Sequence, residues 1–263
     1  MLPSRAVDIA LTRGVSPSID RCELTHIDRE PIDLERARAQ HEDYCDRLEA
    51  LGLEVLRLPA DPAFPDGCFV EDTAVVLDEI AVLTPLGAPS RRGETPAIAE
   101  ALSRYRRVEA ITLPATIEGG DVLTVGRRVF VGLSRRTNAA GVEALRRLVG
   151  PFGYDVLPVP VTGCLHLKSA VTALDEETVL ANPAWFDAGP LSPLSLVPVA
   201  PEEPGAANVL RVRGQVWAHP GFPRTIETLE ARGYRVTPVD ISEFLKAEAA
   251  LTCKSLLFRR AAA

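Results

Sequence analysis

Five short stretches put chemically able residues at the start of a predicted strand: Asp72 in FVED, Glu118 in EGGD, His166 in HLKS, Asn208 in ANV and Cys253 in LTCKS. A thiol and an imidazole together are the equipment of nucleophilic catalysis, since the thiolate attacks and the histidine moves protons. Carboxylates near that thiol would raise its pKa and suppress the thiolate. The arrangement makes sense for a cationic substrate, which would bind the carboxylates and then help stabilise the thiolate. A guanidinium fits best, because its planar fork of N–H donors matches carboxylates bidentately. On this reading Cys253 attacks the central guanidinium carbon and His166 protonates the departing amine. His166 then deprotonates the water that hydrolyses the thiouronium intermediate.

The elements that would bring these groups together recur along the chain. FVEDTAVVLDEIAVLTPLGAPSRRGETPAIAEAL, closed by RVEAITLP, reads as two apolar strands, a turn, a helix and a strand ending in Pro. EGGDVLTVGRRVFVGLSRRTN, AAGVEALRRLVGPFG and YDVLPVPV repeat the pattern. A third unit starts at HLKSAVTALDEETVLANP with a degenerate helix at AWFDAGPLSP, and a fourth starts at ANVLRVRGQVWAHPGFP. The fifth is split between the chain ends. LTCKSLLF supplies its leading strand, and DIALTRG, the helix LERARAQHEDYCDRLEALG and LEVLRLP supply the rest. That helix carries Leu34, Ala37, Tyr44, Leu48 and Leu51 on one face, with Gly52 placed as its αL terminator. Joining the ends closes a ring without sheet edges. The expected fold is α/β: a five-bladed propeller of ββαβ repeats forming a single catalytic domain over residues 1–263, with a lead-in at its N-terminus.

Composition sets the outer limits. The chain has 263 residues, 46% hydrophobic and 25% charged, as expected of a globular protein. Its net charge of −7 argues against nucleic acid as a partner. No apolar run approaches the ~18 residues of a membrane span, so no membrane partner is expected. Five scattered cysteines without a CxxC pair argue against a disulfide framework or structural zinc, and for the cytoplasm. Cys22, Cys45 and Cys164 read as small buried hydrophobes and Cys68 as a residue beside the channel; His26, His41 and His219 read as surface or turn residues.

FVED at 69–72, GAPSRR at 87–92, EGGDVL at 118–123, VGLSRRTN at 131–138, HLKS at 166–169 and LTCKS at 251–255 resemble the dimethylarginine dimethylaminohydrolase family of the guanidine-modifying, or pentein, superfamily. The resemblance spans nearly the whole chain in order. It implies the pentein form of the propeller and hydrolysis of asymmetric dimethylarginine or monomethylarginine to citrulline and a methylamine, with no cofactor and no required metal. It also implies roles. Cys253 is the nucleophile, His166 the acid–base, and Glu118 orients His166 or holds the guanidinium. Asp72 binds guanidinium nitrogens, Glu71 and Asp66 line the pocket, and Arg91 and Arg136 grip the α-carboxylate. Backbone carbonyls near Val15 and Ala247 receive the α-amino group. Two departures bear on pocket shape: Cys164-Leu165 precede His166, and KAEAALTC lacks a glycine before the nucleophile. Alternatives are a hydrolase or deiminase of arginine, agmatine or another N-substituted arginine, and a non-catalytic binding propeller. The partner expected is the small-molecule substrate; a homodimer is left open.

Overall fold

A computed structural model describes residues 8–260, so the lead-in expected at 1–7 lies outside the described residues. The chain opens with β1 (Ile9–Arg13), α1 (Leu34–Ala50) and β2 (Glu54–Leu58). It continues with β3 (Ala74–Val76), β4 (Ile80–Leu83), α2 (Thr95–Ser103) and β5 (Arg107–Ala110), then β6 (Val122–Val125), β7 (Arg128–Leu133), α3 (Ala139–Val149) and β8 (Asp155–Pro160). A one-turn α4 (Leu167–Ala170) leads into β9 (Val171–Ala173), β10 (Thr178–Ala181) and β11 (Ser195–Pro198). Last come β12 (Leu210–Val212), β13 (Gln215–Ala218), α5 (Pro223–Ala231), β14 (Val236–Pro238), α6 (Ser242–Leu245) and β15 (Leu256–Phe258).

These strands form five three-stranded sheets. In each, the middle strand pairs antiparallel with the leading strand and parallel with the third, across a right-sized connection that is a helix in four of them. In the unit of β9, β10 and β11 the connection holds only a 3₁₀ turn at Gly189–Leu191, where the sequence already shows a degenerate helix. The chain ends meet as expected: Ile9 pairs with Phe258 and Leu11 with Leu256. Ala74, Val122, Leu210 and Leu256, the first residues of four leading strands, line one central cavity of about 230 Å³ together with Glu71, Lys168 and Thr252. This is the five-bladed α/β propeller expected from the repeat. Apolar clusters fill the seams between units; one joins Ile9, Leu11 and Phe258 of the split unit to Val70, Ala81, Ile98 and Leu102 of the next. No helix is long and apolar enough to cross a membrane among the described residues.

Helix α1 begins at Asp33, whose carboxylate accepts the Arg36 N–H at 3.1 Å, and ends before Gly52 at φ +82°. Its buried face is Ala37, Gln40, His41, Tyr44, Cys45 and Leu48. His41 is therefore a correction to the surface role expected of it: it lies two turns from Leu48 on the core side, and burial beside Lys254 pushes its pKa down to about 3, so it is neutral. Lys254 itself is wholly buried, its Nζ 3.9 Å from the Phe244 ring centre and 4.6 Å from that of Tyr44. The cation–π contacts and one long bond to the Gln40 carbonyl (3.5 Å) replace water. Burial wins over them and lowers the Lys254 pKa to about 7.

A folded pKa below the unfolded value means the unfolded chain holds more protons between the two, so this group costs stability at neutral pH and the cost fades as pH rises toward 10. Lys254→Met should accordingly raise the thermal midpoint at pH 7 by roughly 2–6 °C, a gain that shrinks in alkaline buffer. Calorimetry across pH 6–10 checks this; a lower midpoint at every pH would make the caged cation a net stabiliser.

Candidate active site

Four single helical turns stand ahead of leading strands: Val70–Thr73, Gly119–Asp121, Leu167–Ala170 and Thr252–Lys254. Asp72 and Cys253 lie inside the first and last. Glu118 and His166 are the residues just before the second and third, in extended backbone, and neither side chain caps its turn. Both are thus free to point into the ring. The sequence puts each of these groups at the start of a strand, whereas the structure sets them at different distances ahead of it. Counting back from the first strand residue, Asp72 and Asn208 stand two before it, Cys253 three, Glu118 four and His166 five. They still converge, because one helical turn coils several successive positions around the same axis.

His166 Nε2 lies 2.7 Å from Glu118 Oε2, and its Nδ1 is 3.9 Å from Asp72 Oδ1. Burial alone would discharge the ring. Asp72, the bond to Glu118 and Asp121 outweigh it and raise the His166 pKa to about 9, while the same pair holds the Glu118 carboxyl well below its usual range. Close approach of the turns needs glycine. A Cβ on Gly119 would lie 1.9 Å from the Glu71 carbonyl, and one on Gly120 would lie 2.6 Å from His166 Nδ1. Instead the bare Gly120 N–H donates to Asp72 Oδ1 at 3.0 Å.

Cys253 Sγ accepts the Ala250 N–H at 3.4 Å. Burial, then Glu71 and Asp72, push its thiol up to about 12, with Lys168 working the other way. The resting site therefore holds a neutral thiol and a protonated imidazole. Beneath them Glu71 takes Lys168 Nζ at 2.5 Å and the Thr252 hydroxyl at 2.7 Å, and Asn208 donates to Thr252 Oγ1 (3.0 Å) and the Lys168 carbonyl (2.9 Å). Glu71 thus braces the turn that carries Cys253, and Asn208 lies in that brace and not against the histidine.

The two arginines differ. Arg91 is buried, with Nη1 2.7 Å from Asp72 Oδ2 and its other donors on Glu94 and the Phe69 carbonyl. Arg136 is held more loosely, at 3.3 and 3.4 Å from the Glu118 oxygens and 3.4 Å from Thr25 Oγ1. Asp66 accepts the Glu23 N–H with both oxygens at 3.2 Å, and burial raises its pKa to about 6. Val15 and Ala247 are each 4% exposed, with side chains in the apolar cluster around Tyr44, so only their backbones are available to a ligand. Asp72, Glu118 and His166 each offer a ligand atom within 4.8 Å of the others.

Sequence reasoning missed Asp121, the last letter of EGGD. Fully buried, it accepts the hydroxyls of Ser134 and Thr137 at 2.6 Å each and the Leu167 N–H at 2.9 Å. It thereby positions both Arg136 and the turn after His166. The signal was present, since VGLSRRTN carries the two hydroxyls either side of Arg136. Missed as well were Lys168, Thr25 and Glu248, which no spacing rule singles out.

Three comparisons bear on these residues. A family model described as eukaryotic N,N dimethylarginine dimethylhydrolase matches residues 20–180. The N(G),N(G)-dimethylarginine dimethylaminohydrolase of Streptomyces coelicolor is 43% identical over 252 residues, covering 95% of this chain and 96% of that protein. The Pseudomonas aeruginosa enzyme of that name, solved as a serine-for-cysteine mutant with citrulline, superposes with a TM-score of 0.91 at 32% identity over 96% of this chain and 100% of that one.

A folded pKa of about 9 against an unfolded value near 6.5 means protonated His166 adds stability that is complete below about pH 6.5 and lost as pH rises through 9. Glu118→Gln should bring the His166 titration, followed by NMR of the ring protons, down by a unit or more, and should flatten stability across that window. A titration left near 9 would mean that Asp72 and Asp121 suffice. Asp72→Asn should speed iodoacetamide labelling of Cys253 at pH 8 severalfold by removing a charge that holds the thiol protonated; unchanged labelling would remove Asp72 from the account.

Proposed function

We propose that this chain, which belongs to the dimethylarginine dimethylaminohydrolase family, hydrolyses N-omega-methylated arginine to citrulline and a methylamine, with Cys253 forming the covalent intermediate. The observation that carries the assignment of roles is the buried His166–Glu118 pair at 2.7 Å beside Asp72, in the same field of carboxylates that holds Cys253 as a thiol. The substrate guanidinium binds at Asp72 and Glu118, and its positive charge lowers the cost of ionising Cys253, whose proton leaves to solvent. Sγ bonds to the guanidinium carbon. His166, protonated at rest, gives its proton to the departing methylamine nitrogen as the C–N bond breaks. The neutral imidazole then takes a proton from water while that water's oxygen attacks the thiouronium carbon. Collapse of the adduct breaks the C–S bond, forms the C=O of citrulline and passes the remaining hydroxyl proton to sulfur, which regenerates the thiol.

At the other end of the substrate, Arg136 is the better placed of the two arginines for the α-carboxylate, because its bonds to Glu118 and Thr25 are long and exchangeable. Arg91 holds Asp72 in position from behind. The α-amino group goes to backbone carbonyls at Val15 or Ala247, and Asp66 and Glu71 support the pocket walls. All these residues come from one chain, read as one catalytic domain, so a homodimer is not needed to complete the site. We assign the protein to the cytoplasm because all five of its cysteines are free.

Citrulline release from asymmetric dimethylarginine, monomethylarginine and arginine, with carbamoylputrescine release from agmatine and Cys253→Ser as control, tests the reading. The expected result is turnover of the methylated arginines, abolished by the substitution. Preferred turnover of agmatine would overturn it, since that substrate lacks the carboxylate assigned to Arg136.

A further inference from the structure

Glu248 takes a left-handed backbone (φ +55°) without being glycine, five residues before Cys253. It sits where α6 ends: the Glu248 N–H reaches the Leu245 carbonyl at 3.2 Å and the Ala249 N–H reaches that of Phe244 at 3.1 Å. This termination suits glycine, and a residue with a Cβ is strained there. The carboxylate offsets that strain with two charge-assisted bonds. Oε2 accepts the Thr25 N–H at 2.6 Å and Oε1 the His26 N–H at 2.9 Å.

Thr25 and His26 belong to a segment with no regular secondary structure that lies over groups of the site. Asp66 holds its Glu23 N–H, Ser90 donates to the Glu23 carboxylate at 2.5 Å, and Arg136 reaches Thr25 Oγ1. A continuous run of hydrogen bonds therefore goes from Glu248 through Thr25, Arg136 and Glu118 to His166.

We propose that Glu248 is a positioning residue for substrate binding: it ties the segment around Thr25 to the end of α6, just ahead of the turn that bears Cys253, and so sets the pose of Arg136 for the substrate's amino-acid end. The proposal rests on the methylarginine reading for its kinetic consequence but not for the tie itself. The bond is remote from the reacting carbon, so its loss weakens binding and leaves the chemical step in place.

Glu248→Ala and Glu248→Gly separate the tie from the backbone strain, because both remove the carboxylate and only glycine relieves the left-handed conformation. Both should raise KM for methylarginine by roughly tenfold, the scale of a lost charge-assisted bond, with kcat within about threefold of the parent. Glu248→Asp should recover part of the KM. Amide exchange at Thr25 and His26, read by NMR in the full chain, should quicken at least tenfold in both variants. KM unchanged in the folded variants, or a fall in kcat alone, overturns the kinetic role, and unchanged exchange overturns the tie. Should the parent turn over no methylarginine, the exchange measurement still decides the tie, and the failure falls on the assigned substrate.

Discussion

Buried carboxylates at the hub of the ring constrain everything else. Asp72, Glu118, Glu71 and Asp121 are each less than a tenth exposed, and an unpaired buried charge is prohibitively costly. Each takes at least one partner from another unit: Asp72 from Gly120, Glu118 from His166, Glu71 from Lys168 and Thr252, Asp121 from Leu167. The five sheets are small and three-stranded, and these cross-unit bonds at the centre add to the apolar seams that join the units.

Such a hub is a specificity device as well as a staple. Backbone donors and fixed carboxylates aimed at one point cannot relax to suit a poor ligand, and the glycines at 119 and 120 let the turns approach closely enough to fix them. Replacing the network by apolar residues would stabilise the ring and leave nothing to recognise a cation.

Much of this was legible in the sequence, because a repeat repeats its chemistry. The ββαβ period gave the sheets, and the charged and nucleophilic residues at unit starts gave the hub. The split unit was readable from LTCKSLLF and DIALTRG, since each lacked the strand that the other supplied. What escaped depended on distance through space. His41 and Lys254 look like surface residues by type, yet Tyr44 and Phe244 enclose them. Glu248 occupies a stretch with no glycine to announce a left-handed turn, and its partners are more than two hundred residues away. Arg91 illustrates the opposite case. The residue was found from its motif, but only geometry shows that its guanidinium already sits on Asp72.

Charge arithmetic at the hub connects this architecture to the order of the reaction. The network contains five carboxylates, those of Glu71, Asp72, Glu94, Glu118 and Asp121. Four cations face them: Arg91, Arg136, Lys168 and protonated His166. Burial pushes the carboxyls of Glu71, Glu94 and Asp121 up, so the hub carries at most about one uncompensated negative charge, and ionising Cys253 in the empty site would add another in a medium that screens poorly. A guanidinium brings one positive charge, so thiolate and substrate together restore the resting balance. Binding a cation thus offsets the charge of the Cys253 thiolate, which the empty site disfavours. Citrulline is uncharged at the reacting end; once it forms, the balance again favours the thiol, and the same electrostatics that arm the site for substrate disarm it for product.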